Sequence, residues 1–133
     1  RDRDLSVVYR AYQQLLAVRE ACQTGVPAQR DVIERAYEDW KKTHRAFVLE
    51  LDDRLTAMIR GASSSPQEYS RNVGRYEGQL LQQRNEYRDR FLQQEKTEVD
   101  RLCHDFPAFL RGRDSDLERA YAEQMESIRK LRP

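Results

Sequence analysis

Apolar side chains recur at steps of three and four residues along most of this chain, and this spacing restricts its fold more than any other feature. An α-helix has 3.6 residues per turn, so such steps place the side chains on one helical face. A strand would require alternation, which never extends beyond a few residues. The clearest stripe is Ile33, Tyr37, Trp40, His44, Phe47, Leu51, Leu55 and Met58. The sequence therefore predicts an all-α fold.

Glycine and proline interrupt the stripes at three places and so mark the helix boundaries. The first interruption is Gly25 with Pro27, the second covers residues 61–66, and the third is Pro107 with Gly112. The predicted helices cover residues 4–24, 28–60, 66–104 and 115–131.

Two helix starts carry a recognisable capping pattern. Ser65 is followed by Pro66 and Glu68, and Ser115 is followed three residues later by Glu118. Proline suits the first helical position, and Ser-x-x-Glu can satisfy the free backbone N–H groups of a first turn. We therefore expect Ser65 and Ser115 to be N-caps.

The 133 residues are enough for one domain with one sizeable core. The apolar positions of the second and third helices match as an antiparallel coiled-coil hairpin, with Leu51 opposite Tyr76 and Trp40 opposite Tyr87. These two helices would be roughly 50 to 58 Å long, and the outer two roughly 25 to 32 Å. The sequence thus predicts an up-down four-helix bundle from which the hairpin projects beyond the two shorter helices.

The projecting part of the hairpin would leave an apolar stripe partly uncovered. Such a stripe usually marks a surface for another protein or for a second copy of the chain. The predicted partner-binding residues are Leu51, Leu55, Met58, Tyr69, Val73 and Tyr76. The tyrosines on the stripes suit either half-buried packing positions or an interface, and both interpretations stay open.

Two cysteines, Cys22 and Cys103, fall at the same end of the predicted bundle. A disulfide between them would indicate an oxidising compartment, such as the bacterial periplasm or the extracellular space. Reduced, buried thiols would instead indicate the cytosol, and both alternatives stay open. No signal peptide is recognisable and the chain begins at Arg1 rather than Met, so we expect a processed form or a fragment.

Charge and composition exclude several classes of partner. Lys and Arg number 24 against 23 Asp and Glu, so the net charge of +1 provides no strong field toward nucleic acid or an acidic membrane. The mean hydropathy is −0.97, and no apolar run is long enough to span a bilayer. We expect neither nucleic-acid binding nor membrane insertion.

Motifs for catalysis and cofactors are also missing from the sequence. It contains no H-E-x-x-H, no P-loop and no G-x-G-x-x-G. Di-iron bundles need Glu three residues before His. The residue at that position is Lys41 for His44 and Arg101 for His104, so the motif is absent. We expect no catalytic residues, metal or cofactor. The apolar segment 104–112 is predicted to be a turn that closes the base of the bundle, with a ligand-lined pocket as the alternative.

The sequence matches no family residue by residue, so its resemblances are architectural. The helical content and the potential single disulfide resemble small bacterial periplasmic proteins, including immunity proteins. They imply a non-enzymatic module, exported to the periplasm or cell surface, that binds another protein. The charged hairpin resembles cytosolic coiled-coil components of flagellar and type III export, which implies a cytosolic adaptor or escort of a secretion apparatus as the alternative. An enzyme is the third hypothesis.

Overall fold

The computed structural model describes residues 2–130, in which all regular structure is helical. Seven α-helices and two short 3-10 helices follow one another, and no strand occurs among these residues. The α-helices are α1 Asp2–Gly25, α2 Arg30–Thr43, α3 Arg45–Gly61, α4 Pro66–Leu92, α5 Lys96–Arg111, α6 Leu117–Ala120 and α7 Ala122–Lys130, and the 3-10 helices are Pro27–Gln29 and Arg113–Ser115. The all-α prediction is confirmed.

The predicted second helix is divided at His44, where α2 ends and α3 begins. The backbone of His44 leaves the helical region, with φ −106° and ψ 19°. Its ring packs against Trp40 with the ring centroids 5.0 Å apart. Because His44 still donates to the carbonyl of Trp40 and accepts from Val48, the apolar stripe continues across the junction and conceals it in the sequence.

The predicted third helix, 66–104, is divided by residues 93–95 into α4 and α5. Three polar side chains occupy this turn, and Glu95 is extended, with φ −55° and ψ 142°. The helix start at Ser65 is confirmed, because its Oγ accepts from the backbone N–H of Glu68 at 3.1 Å.

The prediction that segment 104–112 is a turn is wrong, because α5 continues to Arg111. Pro107 lies inside α5 and is buried. A proline within a helix removes one backbone hydrogen bond and usually costs about 3 kcal/mol. Burial in the core offsets that cost here, and the helix ends at Arg111, with Gly112 as its C-cap.

The predicted fourth helix is divided into a 3-10 turn, α6 and α7. The N-cap of α6 is Asp116, whose carboxylate accepts from the backbone N–H of Arg119, so the prediction for Ser115 is wrong. The buried Ser115 hydroxyl instead donates to the carbonyl of Leu110 at 3.0 Å. The predicted helix end at residue 131 lies outside the described residues.

Side-chain contacts give the direction of the helices relative to α1. Tyr9, early on α1, donates to Asp52 of α3 at 3.0 Å. Arg19, later on α1, pairs with Glu34 of α2 at 2.7 Å. Because the earlier residue of α1 contacts the later helix, α2 and α3 run antiparallel to α1.

Side-chain contacts also give the direction of α4 and of the three helices that follow it. Tyr76 of α4 lies near Leu5 and Leu92 lies beside Gly25, so α4 runs parallel to α1. An ideal Cβ on Gly25 would lie 2.7 Å from the Leu92 side chain, so glycine permits this close approach. Helices α5 to α7 follow the direction of α2 and α3, as the pairs Arg111–Asp39 at 3.5 Å and Arg129–Glu50 at 2.7 Å show.

The hairpin arrangement expected from the sequence is not confirmed. Helix α4 packs chiefly against α1 and much less against α3. Helix α1 also reaches the end of α3, where Leu5 and Met58 line the same hollow. Trp40 is in the core, 2% exposed, and its Nε1 donates to the carbonyl of Ser115 at 3.0 Å.

Candidate protein-binding groove

The residues predicted to bind a partner are less accessible than the sequence suggested. Leu51 is fully buried in the core, where a partner cannot reach it. The other five, Leu55, Met58, Tyr69, Val73 and Tyr76, are half-buried. Leu55, Met58 and Tyr76 line a small hollow of about 170 Å³ that α1 helps to close. The structure therefore brings part of the predicted set together but gives it little free surface.

A larger apolar groove lies between α4 and α5. Helix α4 packs mainly on α1 and α5 packs mainly on α2, so α4 and α5 have few contacts with each other. The space between them has a volume of about 800 Å³. Leu15 and Val18 of α1 form its floor, Tyr87 and Phe91 line the α4 side, and Phe109 lines the α5 side.

Aromatic side chains make up a large part of the lining of this groove. The rings of Phe106 and Phe109 stack with their centroids 5.8 Å apart, and Tyr121, which follows α6, also lines the groove. Phe109 is 38% exposed although it is large and apolar. Aromatic side chains bury a large area at little cost in conformational entropy, which makes them frequent anchors at protein interfaces.

A buried cysteine pair links two of the helices that border the groove. The Sγ atoms of Cys22 and Cys103 lie 2.15 Å apart, at disulfide distance, and both residues are fully buried. Cys22 is on α1, which forms the floor, and Cys103 is on α5, which forms one side. The groove is therefore bordered by helices that the cysteine pair joins.

Charged residues line the groove and an adjoining hollow of about 260 Å³. Asp105 and Asp114 lie on the side formed by α5 and the turn after it. Arg10, Arg84 and Arg90 line the adjoining hollow beside α4. Among the described residues the charged side chains that line the groove are thus acidic, whereas those of the adjoining hollow are mainly basic.

The histidines and the two tyrosines with raised pKa values are not themselves among the residues that line the groove. His104 is exposed, with Nδ1 3.4 Å from Asp105, and His44 Nδ1 is 4.0 Å from Asp116. Burial raises the pKa of Tyr12 to about 12, and burial with the adjacent carboxylate raises the pKa of Tyr9. Within residues 2–130, no group of three or more His, Cys, Asp or Glu side chains is arranged to hold a metal ion.

Sequence reasoning missed the groove because it placed Tyr87 and Leu102 on one continuous helix. The turn at residues 93–95 folds them to opposite sides of the same space. The available signal was the polar stretch after Phe91, where the apolar stripe is interrupted.

Comparison with known proteins gave no relationship: no protein family, no curated protein and no solved structure matches this chain. Among the helices described, none has both the length and the apolar character needed to cross a bilayer.

Proposed function

We propose that this chain is a non-enzymatic module that binds another protein through the groove between α4 and α5. The observation that carries the proposal is the open aromatic lining of the groove, in which Phe109 remains 38% exposed. Monomeric soluble proteins bury most large aromatic side chains, and an open cluster of them favours a partner surface. An inhibitor or immunity-type protein, which blocks its target by contact alone, is the activity that needs only such a surface.

The proposal includes the architecture expected from the sequence in a modified form. The four passes of the chain, α1, α2–α3, α4 and α5–α7, form an up-down bundle that stays open between the third and the fourth pass. In this bundle the hairpin does not project as a free arm. The partner surface is therefore the open side, and the stripe around Leu55 and Met58 is secondary.

The proposed compartment is oxidising, either the bacterial periplasm or the cell surface. The support is the cysteine pair at disulfide distance, because such bonds persist mainly outside the cytosol. Intact mass with and without reduction before alkylation measures the bond on native material. Two alkylations only after reduction are expected. Two alkylations on unfolding without reductant would favour the cytosolic adaptor instead.

Site-specific photo-crosslinking tests the groove. A benzophenone amino acid replaces Phe109 in the groove and, as a control, Leu81 on the outer face of α4, which is 48% exposed. We expect a specific adduct from position 109 alone, in the cells that produce the protein. The partner identified from this adduct, purified on its own without the crosslink, should then bind the wild-type chain and should not bind the Phe109→Glu variant. Equal adducts from both positions, or equal binding by the variant, would refute this surface.

A further inference from the structure

One part of the groove lining combines an aromatic ring with two carboxylates. Asp105 lies one helical turn before Phe109 on α5, so both side chains are on the same face of that helix. Asp114 follows the end of α5 and lines the same groove. All three residues are exposed. We call Asp105, Phe109 and Asp114 the acidic edge of the groove.

The rest of the groove lining is uncharged. Gln14 of α1 and Gln94, which follows α4, contribute carboxamides, and apolar or aromatic residues complete the lining. Among the described residues, no lysine, arginine or histidine lines this groove. The nearby arginines of α1 and α4 line the separate hollow between those two helices. A cationic group that enters the groove therefore meets no like charge in its lining.

Asp105 shares an arginine with a second carboxylate. Arg101 lies 3.5 Å from Asp105 and 2.5 Å from Glu98, so one positive charge faces two negative charges. His104 Nδ1 is 3.4 Å from Asp105 and adds a charge only when the imidazole is protonated. With His104 neutral, this group of side chains keeps one negative charge.

Asp114 forms no ion pair with the described part of the chain. Arg111 pairs with Asp39 of α2 instead, at 3.5 Å. Arg113 adjoins Asp114 in sequence but does not line the groove. Even with Arg113 counted, two arginines stand against three carboxylates around the acidic edge. This part of the surface is therefore negative, although the whole chain has a net charge of +1.

Arginine and lysine side chains fit an edge of this composition. Their aliphatic stems pack on apolar surface while the charged ends stay in contact with water. A guanidinium also stacks on an aromatic ring and forms paired hydrogen bonds with a carboxylate. Phe109 supplies the ring, and Asp105 and Asp114 supply the carboxylates.

We infer that the partner enters the groove through a basic segment, which combines apolar anchors with arginine or lysine. The apolar side chains pack on the floor and on the aromatic lining, and the basic side chains contact Asp105 and Asp114. An acidic segment would place like charges against the edge, which opposes binding. This inference rests on the proposed function, because it specifies the partner of the same surface.

Selection from a random peptide library tests the chemistry of the partner without assuming its sequence or its conformation. Phage that display random peptides are selected on the full chain, and clones that also bind the Phe109→Glu variant are discarded. We expect the remaining peptides to be enriched in arginine and lysine, and depleted of aspartate and glutamate, relative to the unselected library.

Charge reversal on the protein makes the selection specific. The double variant Asp105→Lys, Asp114→Lys should select peptides enriched in aspartate and glutamate instead. The matched control is Asp31→Lys, Asp53→Lys, which changes two exposed aspartates that do not line the groove. The control should still select basic peptides.

Fluorescence anisotropy then measures the Kd of a selected basic peptide for the full chain. One exposed ion pair changes affinity by roughly threefold, so Asp105→Asn with Asp114→Asn should weaken binding about tenfold. Asp31→Asn with Asp53→Asn should leave the Kd unchanged.

The inference is wrong if the selected peptides carry no excess of arginine and lysine, or if no peptide depends on Phe109. It is also wrong if the reversed variant still selects basic peptides, or if the Asp105→Asn, Asp114→Asn variant binds as tightly as wild type.

Failure of the inference is distinguishable from failure of the proposed function, because photo-crosslinking at position 109 captures the native partner without a peptide. A captured partner that binds the Asp105→Lys, Asp114→Lys variant as tightly as wild type would reject the basic segment and retain protein binding. Absence of both a specific adduct and a peptide that depends on Phe109 would reject the two together.

Discussion

Removal of the cysteine pair should destabilise the whole domain. Cys22 and Cys103 are 81 residues apart in sequence, so a bond between them closes a long loop in the unfolded chain. The chain-entropy relation gives a stabilisation of about 4.5 kcal/mol for a loop of this length at 25 °C. Both residues are fully buried, so Cys22→Ala with Cys103→Ala also removes the two sulfur atoms from the core. We expect the free energy of unfolding to fall by about 4 to 5 kcal/mol.

Thermal and urea unfolding, followed by circular dichroism, measure this change. Unfolding entropy scales with length, and for 133 residues the expected loss corresponds to a fall in Tm of about 15 °C. Wild-type protein with reductant should approach the double variant, and reductant should have no effect on the variant itself. A change of less than about 3 °C in both cases would refute the bond as a major source of stability.

Three further substitutions test individual contacts by urea unfolding. Trp40→Phe removes the 3.0 Å hydrogen bond to the buried carbonyl of Ser115 and some core volume, and should cost about 2 to 3 kcal/mol; a loss below 0.5 kcal/mol would contradict that role. Hydrogen bonding from Arg129 is the largest cause that lowers the pKa of Glu50. The stabilisation, below about 1 kcal/mol for this partly exposed pair, should be present at pH 7 and lost as the pH falls through the lowered pKa. Glu50→Gln should therefore be less stable than wild type at pH 7, and the difference should shrink as the pH falls progressively below the ordinary glutamate value of 4.5, whereas a constant difference would exclude the linkage. Gly78→Ala, on an open face of α4 with nothing within 4 Å, should add about 1 kcal/mol, and a destabilisation would mean that this face is covered in solution.

Local features of the fold could be predicted from the sequence because they depend on near neighbours. The step of three and four residues identified the helices, and Ser65 with Glu68 identified the start of α4. The expected proximity of Cys22 and Cys103 followed from placing both at one end of the bundle. These inferences required only the helical period, capping chemistry and the order of the helices.

Long-range features were harder to predict, since an apolar stripe shows which side of a helix is buried but not what buries it. The sequence predicts that Leu51 belongs to a partner surface, yet it is fully buried within the chain's own core. The sequence likewise predicts a turn at Pro107, yet α5 continues through it. In both cases tertiary packing outweighs the local signal.

The candidate site depends on the weakest local signal in the chain, the turn at residues 93–95. If the helix had continued to residue 104, Tyr87 and Leu102 would be about 22 Å apart along one axis. The turn instead places them around the same space, and the cysteine pair joins α5 to α1 beside it. Gly25 allows the end of α4 to approach the end of α1 before the chain reverses. A groove formed in this way is a property of how two helices meet, so no motif within either helix could have identified it.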